Sequence, residues 1–156
     1  MKMPLSIKIM LFMMVLYASI TGAVYIIIKS AIDFYIPQIY GFPDEGTWAT
    51  KIVDNVIHDM PLEVGERIRI LAGIQVVFAM SFMISLLPII FISCRLYKLS
   101  IIFVSFSAFF HCSLKGPGLL AAALHIIVLI VILCNKRAKS YLKRKQQKLP
   151  SPVTSV

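Results

Sequence analysis

Residues Ile9 to Ile28 run twenty positions without a charged side chain (IMLFMMVLYASITGAVYIII), and Lys29 closes the run. A helix rises about 1.5 Å per residue, so this stretch reaches across a hydrocarbon layer about 30 Å thick. It reads as a membrane-spanning helix. A signal peptide is the rival reading, because Lys2 and Lys8 precede the run and Ser19 to Ala23 offers small residues. The apolar stretch continues for five residues past Ala23, longer than a usual signal-peptide core, so a retained span is expected.

Three further uncharged runs follow. Ile70 to Cys94 is 25 residues long and contains Pro88, which should bend it near one end. Leu99 to Leu114 and Leu119 to Cys134 are 16 residues each. Both are short for independent crossing. Lys98, Lys115 and the Lys115-Gly-Pro-Gly118 turn could extend them to the interfaces. A re-entrant hairpin made of these two runs is the structural rival.

The expected fold class is therefore an all-α integral membrane protein. It has a four-helix transmembrane bundle over residues 1–134, with spans at 9–28, 70–94, 99–114 and 119–134 and an outer connection at 29–69. Composition agrees: 59% of the 156 residues are apolar and only 15% charged, with mean hydropathy +0.87. Soluble domains run closer to half apolar and a quarter charged.

The net charge of +9 orients the chain. With both ends cytoplasmic, the inner segments hold Lys2, Lys8, Arg95, Lys98 and the seven Lys/Arg of the tail, eleven of sixteen basic residues. Lys29, Lys51, Arg67, Arg69 and Lys115 fall outside, and all seven acidic residues lie in 29–69. This partition follows the positive-inside rule. Residues 135–156 read as a basic, disordered cytoplasmic tail. Lys136, Arg137, Lys139, Lys143, Arg144, Lys145 and Lys148 are expected against the anionic inner leaflet. Lipid contact accounts for these charges, and no nucleic-acid partner is expected.

The outer connection opens with Ala31 to Pro43, rich in aromatics. Tyr35 and Tyr40, with Trp48 further on, suit the headgroup level. Pro37, Gly41 and Pro43 argue against a continuous helix there. Ala49, Ile52, Val53, Val56, Ile57 and Met60 then recur at helical spacing, with Lys51, Asp54, Asn55, His58 and Asp59 opposite. That predicts an amphipathic helix of about four turns, stopped by Pro61. It lies on the membrane or lids the bundle, or else docks a partner. Leu62 to Arg69 should begin the second span above the headgroups.

None of the four runs contains Asp, Glu, Lys or Arg. Ion-coupled transporters and proton pumps generally need such groups at depth. The polar candidates left are two histidines and some hydroxyls. Ser100, Ser107 and His111 share one helical face, and in a hairpin His125 should lie about one turn from His111 in depth. The pair is the candidate cofactor-binding site, for haem, copper or a quinone with Cys112 adjacent. The plainer reading has each imidazole serving packing, and no cofactor at all is the first expectation. No metal site is expected, and no catalytic residue is nominated.

Cys94 and Cys134 lie at cytoplasmic span ends, where palmitoylation or simple burial is the choice. Ala18/Gly22 and Ser19/Ala23 have the spacing that lets helices approach closely, within the chain or in a homo-oligomer. The last three residues, Thr154-Ser155-Val156, fit the pattern that adds a strand to a PDZ domain.

The expected function is non-catalytic: a membrane scaffold, assembly factor or accessory subunit that binds other membrane proteins. The alternative is a redox or cofactor-binding membrane protein using His111 and His125. A weaker alternative is a transporter or channel subunit for an uncharged substrate. No residue pattern selects a family.

Overall fold

A computed structural model of the chain describes residues 3–39, 48–57, 63–114 and 116–143. Six helices make up the described residues: α1 Leu5–Ile39, α2 Trp48–Ile57, α3 Val64–Ser93, α4 Tyr97–Ser113, α5 Pro117–Cys134 and α6 Lys136–Lys143. By length and composition, α1 and α3 are long and apolar enough to cross a membrane, and a third crossing is made if α5 and α6 count as one bent span. The fold is all-helical, as the uninterrupted apolar runs require. Such runs satisfy every backbone polar group within the segment, which a bilayer demands.

Helix α1 is longer than expected. It continues through Pro37 to Ile39, where the sequence suggested irregular backbone. Pro37 gives no N–H to the Asp33 carbonyl and its ring crowds that carbonyl, a cost that α1 carries in its last turn. Helix α3 begins at Val64, adding a polar turn with Glu66 ahead of the apolar run. It carries Pro88 inside.

The chain divides into two compact units. One contains residues up to Ala18 and those from Met83 onward. Its core joins Ile7, Met10 and Met14 of α1, Ile92 of α3, Val104 of α4, and Val128 and Ile132 of α5. Ala138, Tyr141 and Leu142 of α6 complete it. Phe91 of α3 stacks on Phe103 of α4, with centroids 4.6 Å apart.

Two turns in this unit are tight. Arg95, between α3 and α4, adopts φ 59°. Gly116, between α4 and α5, adopts φ 68°, a conformation L side chains rarely take. Gly118, in the first turn of α5, leaves no room for a side chain. A Cβ there would stand 2.5 Å from the Leu114 Cβ and 2.7 Å from the His111 carbonyl oxygen.

The second unit spans Ser19–Phe82. Ile28, Ala31, Ile32, Phe34 and Tyr35 of α1 pack with Val53 of α2 and Leu71 of α3. Gly22 packs closely within this unit: a Cβ there would press on the Phe82 ring at 3.3 Å. Ser19 and Ala23, the neighbouring small pair, are exposed.

Residues 135–156 were expected to form one flexible tail. Lys136–Lys143 is instead helical, and the remainder lies outside the described residues. The reason is a cap. The Asn135 side-chain oxygen accepts hydrogen bonds from the backbone N–H of Arg137 (3.0 Å) and Ala138 (3.1 Å). These satisfy two of the donors that every helix start leaves open. Replacing Asn135 by Ala should cost about 1 kcal/mol and fray α6, read as faster hydrogen exchange at Arg137 and Ala138.

Candidate functional site: a stacked histidine pair

Helix α4 buries one stripe, made of Ser100, Val104, Ser107, Ala108 and His111. This is the face that the seven- and four-residue spacing marked. The short turn through Gly116 folds α5 back on α4, and Ala121 and Ala122 of α5 are buried. Small side chains there let the helices approach closely.

The result places His111 and His125 together. Their rings stack within 12° of parallel with centroids 5.0 Å apart. The sequence suggested depths about one turn apart, and centroids 5.0 Å apart lie within one helical turn of each other. Both residues are fully buried. Tyr17 of α1 stands edge-on to each ring, at 5.5 Å from His111 and 6.3 Å from His125. Phe110 adds a second edge against His111 at 5.4 Å.

Backbone carbonyls set the tautomers. His111 Nδ1 lies 2.7 Å from the Ser107 carbonyl oxygen, and His125 Nδ1 lies 2.7 Å from that of Ala121. A carbonyl can only accept, so each Nδ1 carries the hydrogen and donates it. In neutral imidazole the other nitrogen is then a lone-pair donor. Ser107 Oγ also approaches His111 Nδ1, at 3.4 Å.

Among the described residues His125 Nε2 has no hydrogen-bond partner although it is buried. Leaving such an atom unsatisfied costs about 1–3 kcal/mol. Among the described residues no third His, Cys, Asp or Glu joins the pair to form a conventional metal cluster. Cys112, adjacent in sequence, is exposed, as are Cys94 and Cys134.

Of the aromatics expected at the headgroup level, Tyr35 is the one engaged inside its unit. Tyr35 is buried, and its hydroxyl donates to the Asp54 carboxylate of α2. Arg67 of α3 reaches the same carboxylate oxygen at 3.5 Å. Three helices of this unit thus meet at one polar latch. It was legible only as an acidic residue on a predicted helix face, with no signal naming its partners. Lys29 and Asp33, one turn apart on α1, form an exposed pair at 2.5 Å.

Trp48 is exposed, and Tyr40 lies outside the described residues. The apolar arc of α2 is split. Ala49 and Val53 face the unit's interior with Thr50, while Trp48, Ile52 and Val56 are 62%, 45% and 77% exposed.

At the far end, α6 turns 83° from α5. Ala138, Tyr141 and Leu142 point inward and are buried. Lys136, Arg137 and Lys143 are exposed, and Lys139 is half-buried. The Arg95 guanidinium sits 4.2 Å from the Tyr141 ring centroid, and the Lys143 ammonium 5.1 Å from that of Tyr97. These distances are within cation–π range. Arg144, Lys145 and Lys148 lie outside the described residues.

No known protein family, curated protein or solved structure matches the chain.

Proposed function

We propose that this chain is a four-span integral membrane protein, with both ends cytoplasmic, that serves as an accessory or assembly subunit for other membrane proteins. On this reading α1, α3, α4 and α5 are the spans. Charge partition supports the orientation, and the basic face of α6 rests on anionic inner-leaflet lipid.

The observation that carries the reading is the stripe Trp48, Ile52 and Val56. Helix α2 turns Ala49, Thr50 and Val53 inward and Trp48, Ile52 and Val56 outward, while the Asp54 latch holds it in place. A large side chain exposed at each successive turn is an interface feature. The exposed faces of α1 and of the α4–α5 hairpin offer further apolar area to partner helices. A second copy of the chain is one such partner.

The test uses a photoreactive amino acid at position 56 in native membranes. A defined protein adduct, lost on Trp48→Ser, supports the subunit reading. Lipid adducts alone reduce α2 to a lid and overturn it. Reporter fusions at Gly46 and Val156 should report opposite sides of the membrane, and finding both on one side removes the four-span topology.

A second reading, a cofactor-binding membrane protein, is favoured by one observation: the stacked histidines with an unpartnered, buried Nε2 on His125.

A further inference from the structure

Six cations lie in the α3–α4 turn, at the start of α4 and along α6: Arg95, Lys98, Lys136, Arg137, Lys139 and Lys143. The unit that holds them contains no Asp or Glu, because all seven acidic residues lie in 29–69. A diffuse basic surface accounts for a general attraction to anionic lipid. Two of the six are placed more tightly than that role requires.

Arg95 is the first. Its N–H donates to the Ile92 carbonyl at 3.1 Å, and the Leu96 N–H donates to the Phe91 carbonyl at 3.0 Å. This pattern closes α3 with a left-handed residue at position 95, where glycine is the usual choice. Among the described residues Arg95 is the one non-glycine residue with a positive φ. A side chain kept there against backbone preference points to a use for the guanidinium. That group sits 4.2 Å from the ring centroid of Tyr141, which is buried.

Lys143 is the second. Its ammonium lies 5.1 Å from the Tyr97 ring centroid. Tyr97 follows Arg95 by two residues, and Lys143 follows Tyr141 by two. Each segment therefore supplies one ring and one cation, and the two pairs interlock where the start of α4 meets α6. A ring orients a cation without neutralising it. Among the described residues neither Arg95 nor Lys143 makes an ion pair. This junction holds two full positive charges, one of them a planar fork.

That donor set selects the ligand. A phosphate monoester carries a charge of about −1.5 to −2 near neutral pH and offers three acceptor oxygens. A guanidinium takes two of those oxygens side by side, and an ammonium meets the third as a point charge. A phosphodiester brings less charge and a carboxylate fewer oxygens, so neither engages both cations as fully. The 83° turn sets α6 across the line of α5. On the proposed topology the junction therefore lies at the headgroup level of the inner leaflet. Ile130 and Leu133, one turn apart near the end of α5, are exposed and apolar, a surface for acyl chains.

We propose that Arg95 and Lys143 clamp the phosphate monoester of an inner-leaflet lipid, with its acyl chains along Ile130 and Leu133. The proposal rests on the cytoplasmic placement of α6 and narrows its lipid contact to one headgroup class.

The experiment uses the full chain, purified in detergent. It is titrated with phosphatidic acid, phosphatidylglycerol or phosphatidylcholine of matched acyl chains, and retained lipid is counted by native mass spectrometry. Inorganic phosphate competes in a further arm. The expected result is one phosphatidic acid per chain, held about tenfold or more tightly than phosphatidylglycerol and not displaced by equimolar phosphate. Arg95→Lys keeps the charge and loses the fork, and it should reduce that preference about tenfold with the helical circular dichroism unchanged. Lys143→Gln should reduce it similarly. Lys136→Gln, exposed and outside both ring contacts, should lower retention of the two anionic lipids alike.

A preference that survives Arg95→Lys and Lys143→Gln together overturns the clamp. Equal retention of phosphatidic acid and phosphatidylglycerol also overturns it and leaves diffuse lipid contact by α6 standing. Displacement by equimolar inorganic phosphate assigns the site to a free ion and overturns the lipid. Retention of neither anionic lipid above phosphatidylcholine overturns both the clamp and the membrane placement of the basic arm.

Discussion

Alanine at position 118 is expected to destabilise the α4–α5 hairpin by about 1–3 kcal/mol, the usual cost of forcing atoms into a filled site. The added methyl group would meet the Leu114 Cβ at 2.5 Å and the His111 carbonyl oxygen at 2.7 Å. Neither is the free end of a flexible side chain, so relief requires the backbone to move. That carbonyl also accepts the Leu114 N–H, at 3.2 Å, as α4 ends. The collision therefore falls on the turn that brings the two histidines together.

Gly116→Ala is the control. Among the described residues nothing lies within 4 Å of its Cβ, and its cost comes from the backbone, φ 68° with ψ −118°, a combination that side chains other than glycine rarely adopt, at about 1–3 kcal/mol. Unfolding in detergent measures both variants. The ¹⁵N histidine spectrum should change in Gly118→Ala and stay closer to native in Gly116→Ala. Native stability for Gly118→Ala would mean the hairpin is not packed as described.

The second large effect is at Asp54. Its carboxylate accepts from the buried Tyr35 hydroxyl and faces Arg67. Asp54→Ala leaves that hydroxyl without its acceptor in a site where Tyr35 is 3% exposed. The expected loss is about 1–3 kcal/mol, the cost of a buried polar group left unpaired. It should be local, because the latch ties α2 to α1 and α3. Hydrogen exchange over Trp48–Ile57 should accelerate, and trypsin should cut at Lys51. Tyr35→Phe removes the donor along with the need for an acceptor, so it should cost less, about 1 kcal/mol. If Tyr35→Phe proves the more damaging change, the hydroxyl is not held by Asp54.

Much of the helical layout could be read from charge-free runs. The run from Leu99 to Leu114 became Tyr97–Ser113, and that from Leu119 to Cys134 became Pro117–Cys134. Both shifts lie at ends, where turn chemistry decides. The shared face of Ser100, Ser107 and His111 was legible because helical spacing fixes it locally.

What sequence could not supply was pairing across elements. Tyr35 looked like a headgroup-level aromatic because ring amphipathicity is visible in sequence and a carboxylate 19 residues away is not. Ile52 and Val56 shared one apolar arc with Ala49 and Val53, and periodicity marks such an arc without saying which part of it the protein covers. The tail looked disordered because it joins a basic stretch to an end with two prolines and no core-forming pattern. Yet the Asn135 cap and three inward side chains, Ala138, Tyr141 and Leu142, suffice to hold eight residues helical.

The bend at Asn135 has a mechanical consequence on the proposed topology. A straight helix can slide along the bilayer normal at little cost over a few ångströms. An 83° turn into a basic arm removes that freedom. Displacement outward would drag Lys136, Arg137 and Lys143 into hydrocarbon, and displacement inward would lift the arm off the anionic surface. The hairpin is thereby held at a set immersion depth, with the histidines at a fixed level below the opposite face.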